Sequence, residues 1–162
     1  MLVAVLSDCH DNIWNLEKVL PRLGKAEVAL FCGDFCAPFT LKMLAKGFAG
    51  PVHAVFGNND GDVYQLLSVA AKAGNVTLHQ PICHLELDGK RIAAVHYPEL
   101  GEALALCGKY DAVFSGHTHV AQVKTLGSTL WANPGEVIGC FGKPSFGMYD
   151  TSTNIFELQE IP

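Results

Sequence analysis

What this 162-residue chain lacks narrows its classes first. No apolar run approaches the roughly 20 residues that a membrane-crossing helix needs. The opening Met1-Leu2-Val3-Ala4-Val5-Leu6 is apolar but too short for the core of a secretion signal, and no basic residues precede it. These absences predict a cytoplasmic protein whose cysteines stay reduced. Positive charge is scarce. Eleven Lys and Arg against 16 Asp and Glu give a net charge of -5, too little cation for a broad phosphate-neutralising surface. Nucleic acid is therefore a disfavoured partner, whereas a small anionic substrate stays compatible if bound cations reverse the local field. Paired cysteine motifs are missing too: Cys32 and Cys36 stand four apart with no second close pair, which argues against a structural zinc knuckle.

What is present describes an ordinary globular chain, 49% hydrophobic and 17% charged, with the length of a single domain over residues 1–162. Leu2 to Leu6, Val28 to Phe31 and Val52 to Phe56 are unbroken apolar runs, the pattern of strands buried on both faces. Each is followed by a polar loop and then an amphipathic stretch. These stretches predict helices over Ile13 to Leu23, opened by Asp11-Asn12, over Phe39 to Lys46 after Pro38, and over Val63 to Ala73. Strand, loop and helix three times over imply right-handed crossovers and parallel pairing.

The second half changes character. Ile82 to Leu87, Asp88-Gly89 and Arg91 to Val95 read as a hairpin. Glu99 to Cys107 predicts a helix and Ala112 to Phe114 a strand. Val120 to Thr125 with Thr129 to Ala132, and Ser145 to Tyr149 with Ile155 to Leu158, predict two more antiparallel pairs. The fold class is α/β: a two-layer β-sandwich with mixed sheets, flanked by helices.

Chemistry gathers where the strands stop. Asp8 and His10 follow the first strand, Asp34 the second and Asn58 the third. His96 follows Val95, and His117 and His119 follow Phe114. In open α/β sheets, sites form beyond the carboxyl ends of the strands. One catalytic metal takes about three protein ligands. Seven donors suit two divalent cations about 3.5–4 Å apart, sharing a bridging carboxylate. Carboxylate, amide and imidazole together suit manganese, iron or zinc. His53, His79 and His84 read as structural histidines, and Cys9 and Cys36 as small packing residues.

The same residues carry a family resemblance. Asp8-Cys9-His10-Asp11-Asn12 fits Asp-x-His-x-Asn, Gly33-Asp34 fits Gly-Asp, and Gly57-Asn58-Asn59-Asp60 fits Gly-Asn-x-Asp. His96 and Gly116-His117-Thr118-His119 complete the set in order. The chain resembles the calcineurin-like metallophosphoesterases, and most of all their small, cap-free bacterial and archaeal phosphodiesterase branch. The resemblance implies a phosphoesterase with two divalent cations, manganese before nickel, iron, zinc or magnesium. It assigns Asp8, His10 and His119 to one metal, Asn58, His96 and His117 to the other, and Asp34 to the bridge. It further implies in-line attack by a bridging hydroxide on a small phosphodiester or other phosphate ester.

Asn12, Asn59 and Asp60 are the catalytic candidates beside the ligands, with Asn12 supporting them or meeting substrate. Many relatives carry His where Asn59 stands, and that His is thought to protonate the leaving oxygen. Glu136 occupies a position, after Asn133-Pro134-Gly135, where related chains often have Ser. No cap is visible, so selectivity falls to loops or to a neighbouring subunit, and a homo-oligomer fits. The rival readings are a non-catalytic protein-binding scaffold of the same fold, like the retromer subunit, and a nuclease.

Overall fold

The computed structural model describes residues 1–162. Its elements run β1 (Leu2–Leu6), α1 (Ile13–Val19), β2 (Val28–Phe31), α2 (Pro38–Gly47), β3 (Val52–Val55), α3 (Val63–Ala73) and β4 (Val76–His79). They continue with β5 (Cys83–Leu87), β6 (Lys90–Ala94), α4 (Pro98–Leu106), β7 (Ala112–Phe114), β8 (Gln122–Leu126), β9 (Thr129–Asn133), β10 (Ser145–Asp150) and β11 (Ile155–Glu160). Two sheets form, in the orders β11-β10-β1-β2-β3-β4 and β5-β6-β7-β9-β8. In the first, β1 to β4 are parallel and β10-β11 add an antiparallel flank. In the second, β6, β7 and β9 are parallel, with β5 and β8 antiparallel at the edges.

Strand alternation explains the layering. Along β1, Ala4 and Leu6 face the helices while Val3 and Val5 face the other sheet. β2 does the same, with Ala29 and Phe31 on one side and Val28 and Leu30 on the other. Leu16, Val19, Leu41, Leu44 and Leu66 from α1 to α3 close the outer face of the first sheet. The second sheet packs α4 through the small patch Ala93, Ala105, Val113 and Trp131. The result is the helix-flanked double sheet that the hydrophobic runs predicted. No helix is long and apolar enough to cross a membrane.

Three local expectations shift. The helix expected over Ile13 to Leu23 ends at Val19, and Leu20–Lys25 winds as a 3-10 turn. Pro21 has no N–H to donate into an α-helical ladder, which accounts for the tightening there. Strand β4, for which the sequence pattern predicted no element, pairs parallel with β3 at the sheet edge. Its half-exposed Val76-Thr77-Leu78-His79 has too weak an apolar pattern to stand out. Strand β8 starts at Gln122, because Val120 belongs to the preceding loop and its N–H donates to Thr118 Oγ1 (3.3 Å).

Candidate metal centre

The carboxyl ends of β1, β2 and β3 in one sheet and of β6, β7 and β9 in the other open onto the same edge of the sandwich. The chain turns sharply there. Asp8, His10, Asp34, His117 and His119 all have positive φ, between 43° and 70°. A non-glycine residue in that region costs on the order of 1–3 kcal/mol, and such strain persists where surrounding structure enforces it. Two glycines make the approach close enough. A Cβ on Gly57 would strike the Asp34 carboxylate, and one on Gly116 would strike Ser7 and Asp8.

All seven predicted donors come together, in two groups. In the first, His10 Nε2 and His119 Nε2 are 3.3 Å apart, and His119 Nε2 lies 3.4 Å from Asp8 Oδ1. In the second, Asn58 Oδ1 lies 2.9 Å from His96 Nε2 and 3.0 Å from His117 Nδ1, and those two nitrogens are 3.2 Å apart. Asp34 Oδ2 sits between the groups, 3.5 Å from both His10 Nε2 and His96 Nε2. Donors bound about 2.1 Å from one ion at tetrahedral or octahedral angles stand roughly 3.0–3.4 Å apart. The observed separations are of that size.

The protonation pattern follows from the acceptors. A carboxylate or a backbone carbonyl only accepts. His119 Nδ1 therefore donates to Glu136 Oε2 (2.6 Å), and His96 Nδ1 donates to the Cys32 carbonyl (2.7 Å). Both rings then turn an Nε2 lone pair inward. In the neutral ring, His96 Nε2 then faces another acceptor, Asn58 Oδ1. Asp8 Oδ1 is fully buried and has no hydrogen-bond donor at all. Asp8 and the Cys36 thiol hold the His10 imidazole up at about 10. Buried lone pairs facing one another without donors are costly unless a cation joins them. The donor set fits divalent ions.

Further contacts hold these candidate ligands in place. Asn59 grips Asp34 twice, with its backbone N–H on Oδ1 and its side-chain amide on Oδ2, both at 2.8 Å. Asp60 faces away from the donors and accepts from the N–H groups of Gly57 (2.6 Å), Cys36 (2.7 Å) and Asp34 (3.0 Å), tying the β2 and β3 loops together. Burial pushes its carboxyl above the ordinary range, against the pull of those three donors. Asn12 caps α1 by accepting from Asn15 N–H (3.1 Å), and donates to the Ile138 carbonyl (2.8 Å). Asn133 braces the histidine loop by donating to the Gly116 carbonyl (2.8 Å).

The fold adds residues that the sequence pattern did not single out for this role. Glu136, buried at 1% exposure, joins His119 to the N–H groups of Phe141 and Gly142, which donate to Oε1 at 2.7 and 2.8 Å. Burial alone would raise its carboxyl, yet the bonds from His119 and these amides hold it below its usual value. Phe141 and Tyr97 are exposed and stand on opposite flanks. Phe141 packs edge-on to His119 with centroids 5.1 Å apart, and Tyr97 packs against His96 (5.1 Å) and His117 (5.0 Å).

Residues 1–154 match the calcineurin-like phosphoesterase superfamily domain. The chain belongs to that superfamily. Among solved structures, one described as a novel archaeal phosphodiesterase superposes with a TM-score of 0.91 at 26% identity, covering 99% of each chain. The phosphoesterase YfcE from E. coli gives 0.74 at 21% identity over the whole of both chains. Vps29 from Entamoeba histolytica, solved with Zn2+, gives 0.70 at 19% identity, again over both whole chains. The last two likenesses speak to fold alone. No curated protein sequence matches the chain. Calcineurin-like phosphoesterases use divalent metals, and the converging Asp8, His10, Asp34, His96 and His119 are candidate ligands in this one.

Proposed function

We propose that residues 1–162 form one phosphodiesterase domain working with two divalent cations, manganese first among them. Asp8, His10 and His119 hold one ion, and Asn58, His96 and His117 hold the other. Asp34 is the bridge. The observation that carries this reading is the pair of donor groups sharing Asp34 Oδ2. The archaeal phosphodiesterase of almost the same shape supports it.

When bound, the two cations stabilise charge on the phosphoryl oxygens and acidify the attacking water. The chain's own residues build the frame. Asp60 ties the two loops that carry Asp34 and Asn58, and Asn59 sets the Asp34 carboxylate. Glu136 and the Cys32 carbonyl fix the tautomers of His119 and His96. Asn59 and Asp60 are thus positioning residues, and Asn12 acts through the start of α1.

Manganese-dependent hydrolysis of bis-p-nitrophenyl phosphate, measured beside metal content, tests the proposal. Two bound ions with no ester hydrolysed would instead favour a protein-binding scaffold.

Two further results follow. Removing Glu136's grip should leave the His119 ring free to turn, and outer carboxylates of this kind are worth about 10–100-fold in metal affinity or activity. Glu136→Gln should therefore weaken manganese binding by about that factor, and an unchanged binding isotherm would show that His119 needs no orienting partner. The exposed rings of Tyr97 and Phe141 suit a flat substrate group. Stacking on such rings is worth about 1–3 kcal/mol per base. Tyr97→Ala and Phe141→Ala should each raise KM for aryl or nucleoside diesters about fivefold or more while leaving kcat within about twofold. Equal effects on a purely alkyl diester would remove stacking as the cause.

A further inference from the structure

A second cluster of ligating side chains lies away from the proposed centre and shares no residue with it. His53 sits in β3 between Val52 and Ala54, which face the helices, so its own side chain turns toward the second sheet. In β4, the register pairs Thr77 with His53 and His79 with Val55. His79 therefore shares the inner face with His53, one step along. The two rings meet there, with His53 Nδ1 and His79 Nε2 at 3.0 Å and ring centroids at 5.3 Å. From the opposite sheet, Cys83 opens β5 with its side chain buried in the core between the sheets. It is a free thiol. One donor atom from each of His53, His79 and Cys83 lies within 4.8 Å of the other two.

We propose that His53, His79 and Cys83 form a third metal site, for zinc or a comparable thiophilic divalent cation. Two imidazoles and one thiolate are a soft, zinc-type donor set, unlike the oxygen-rich centre at the other loops. A tetrahedral zinc would place its two nitrogens about 3.3 Å apart and nitrogen and sulfur about 3.6 Å apart. The 3.0 Å histidine pair needs only a few tenths of an ångström of opening to reach that spacing. The one hydrogen in the His53–His79 hydrogen bond shifts to the outward nitrogen of its own ring when an ion takes both inner lone pairs. The Cys83 thiol, raised to about 12 by burial, gives its proton to solvent as the sulfur–metal bond forms. His53 and His79 are part-exposed, so water can take the fourth position. The ion would fasten edge strand β4 of one sheet to edge strand β5 of the other, which residues 80–82 join along the chain.

Cobalt titration of the full chain tests this. Thiolate ligation gives Co(II) a near-ultraviolet charge-transfer band that nitrogen and oxygen ligands do not. The expected result is three bound equivalents, one of them carrying the band. Cys83→Ser should bind two equivalents and lose the band. His79→Gln, at a part-exposed position, should keep its fold and weaken the band-forming equivalent at least tenfold, since losing a ligand costs no less than losing an outer partner. Asp34→Ala should leave the band intact, which separates this site from the proposed catalytic one. Cys36→Ser should also leave it intact. No band in the native chain, a band that survives Cys83→Ser, or one that vanishes with Cys36→Ser would each overturn the assignment.

Discussion

Asp34→Ala is expected to lose at least about 10³-fold in kcat/KM on bis-p-nitrophenyl phosphate and to release both ions together. Asp34 Oδ2 is the one oxygen within 3.5 Å of donors in both groups, so removing it touches both sites at once. Loss of a single well-aimed electrostatic partner typically costs 10²–10³-fold, and this loss counts twice. The side chain is also buried at 1% exposure between His10 and His96. Its removal leaves those imidazoles crowded against Asp8 and Asn58 without a shared counter-charge. Metal content by elemental analysis and initial rates at saturating manganese read the two effects separately. Activity within tenfold of native, or one ion retained at full affinity, would mean that Asp34 does not bridge.

Substrates with poor leaving groups should be turned over at least about 10²-fold more slowly than p-nitrophenyl diesters. General acid catalysis is worth about 10²–10⁴-fold, and an amide cannot supply it. Asn59 stands at the motif position where many relatives carry histidine. Here its side chain is committed to Asp34, 2.8 Å from Oδ2. The leaving oxygen must then depart without a proton from this residue, which alkoxides do badly and nitrophenolate does readily. Rates of p-nitrophenyl and alkyl diesters compared at one metal concentration check this, and similar rates would show that another group donates. In that case Tyr97, exposed beside His117, is the donor. Tyr97→Phe would then slow the alkyl ester alone.

The parallel core and the convergence of seven candidate donors were legible because burial and chemistry obey separate simple patterns. β1 and β2 are apolar on both faces, so they read as unbroken runs, and each ends just before a candidate ligand. The rest depended on partners far along the chain. Nothing adjacent to Glu136 announces His119, 17 residues earlier, and the 2.6 Å bond exists only because the loops after β7 and β9 meet. Asn59 read as a missing acid, whereas the fold reveals it as the clasp on Asp34. β4 stayed hidden because an edge strand buries half of a pattern. His53, His79 and Cys83 looked like scattered core residues until strand register set two on one face and brought the third from the opposite sheet.

The order of strands in the first sheet also constrains how the molecule can be made. One edge of β1 pairs with β10, so that Leu2 meets Asp150 from far along the chain. Its other edge pairs early with β2. Until β10 docks, the folding sheet therefore shows an open, apolar edge, the kind of template on which chains aggregate. Long-range closure of this sort is slow. Docking of Ser145–Asp150 against β1 is thus the step that closes that edge.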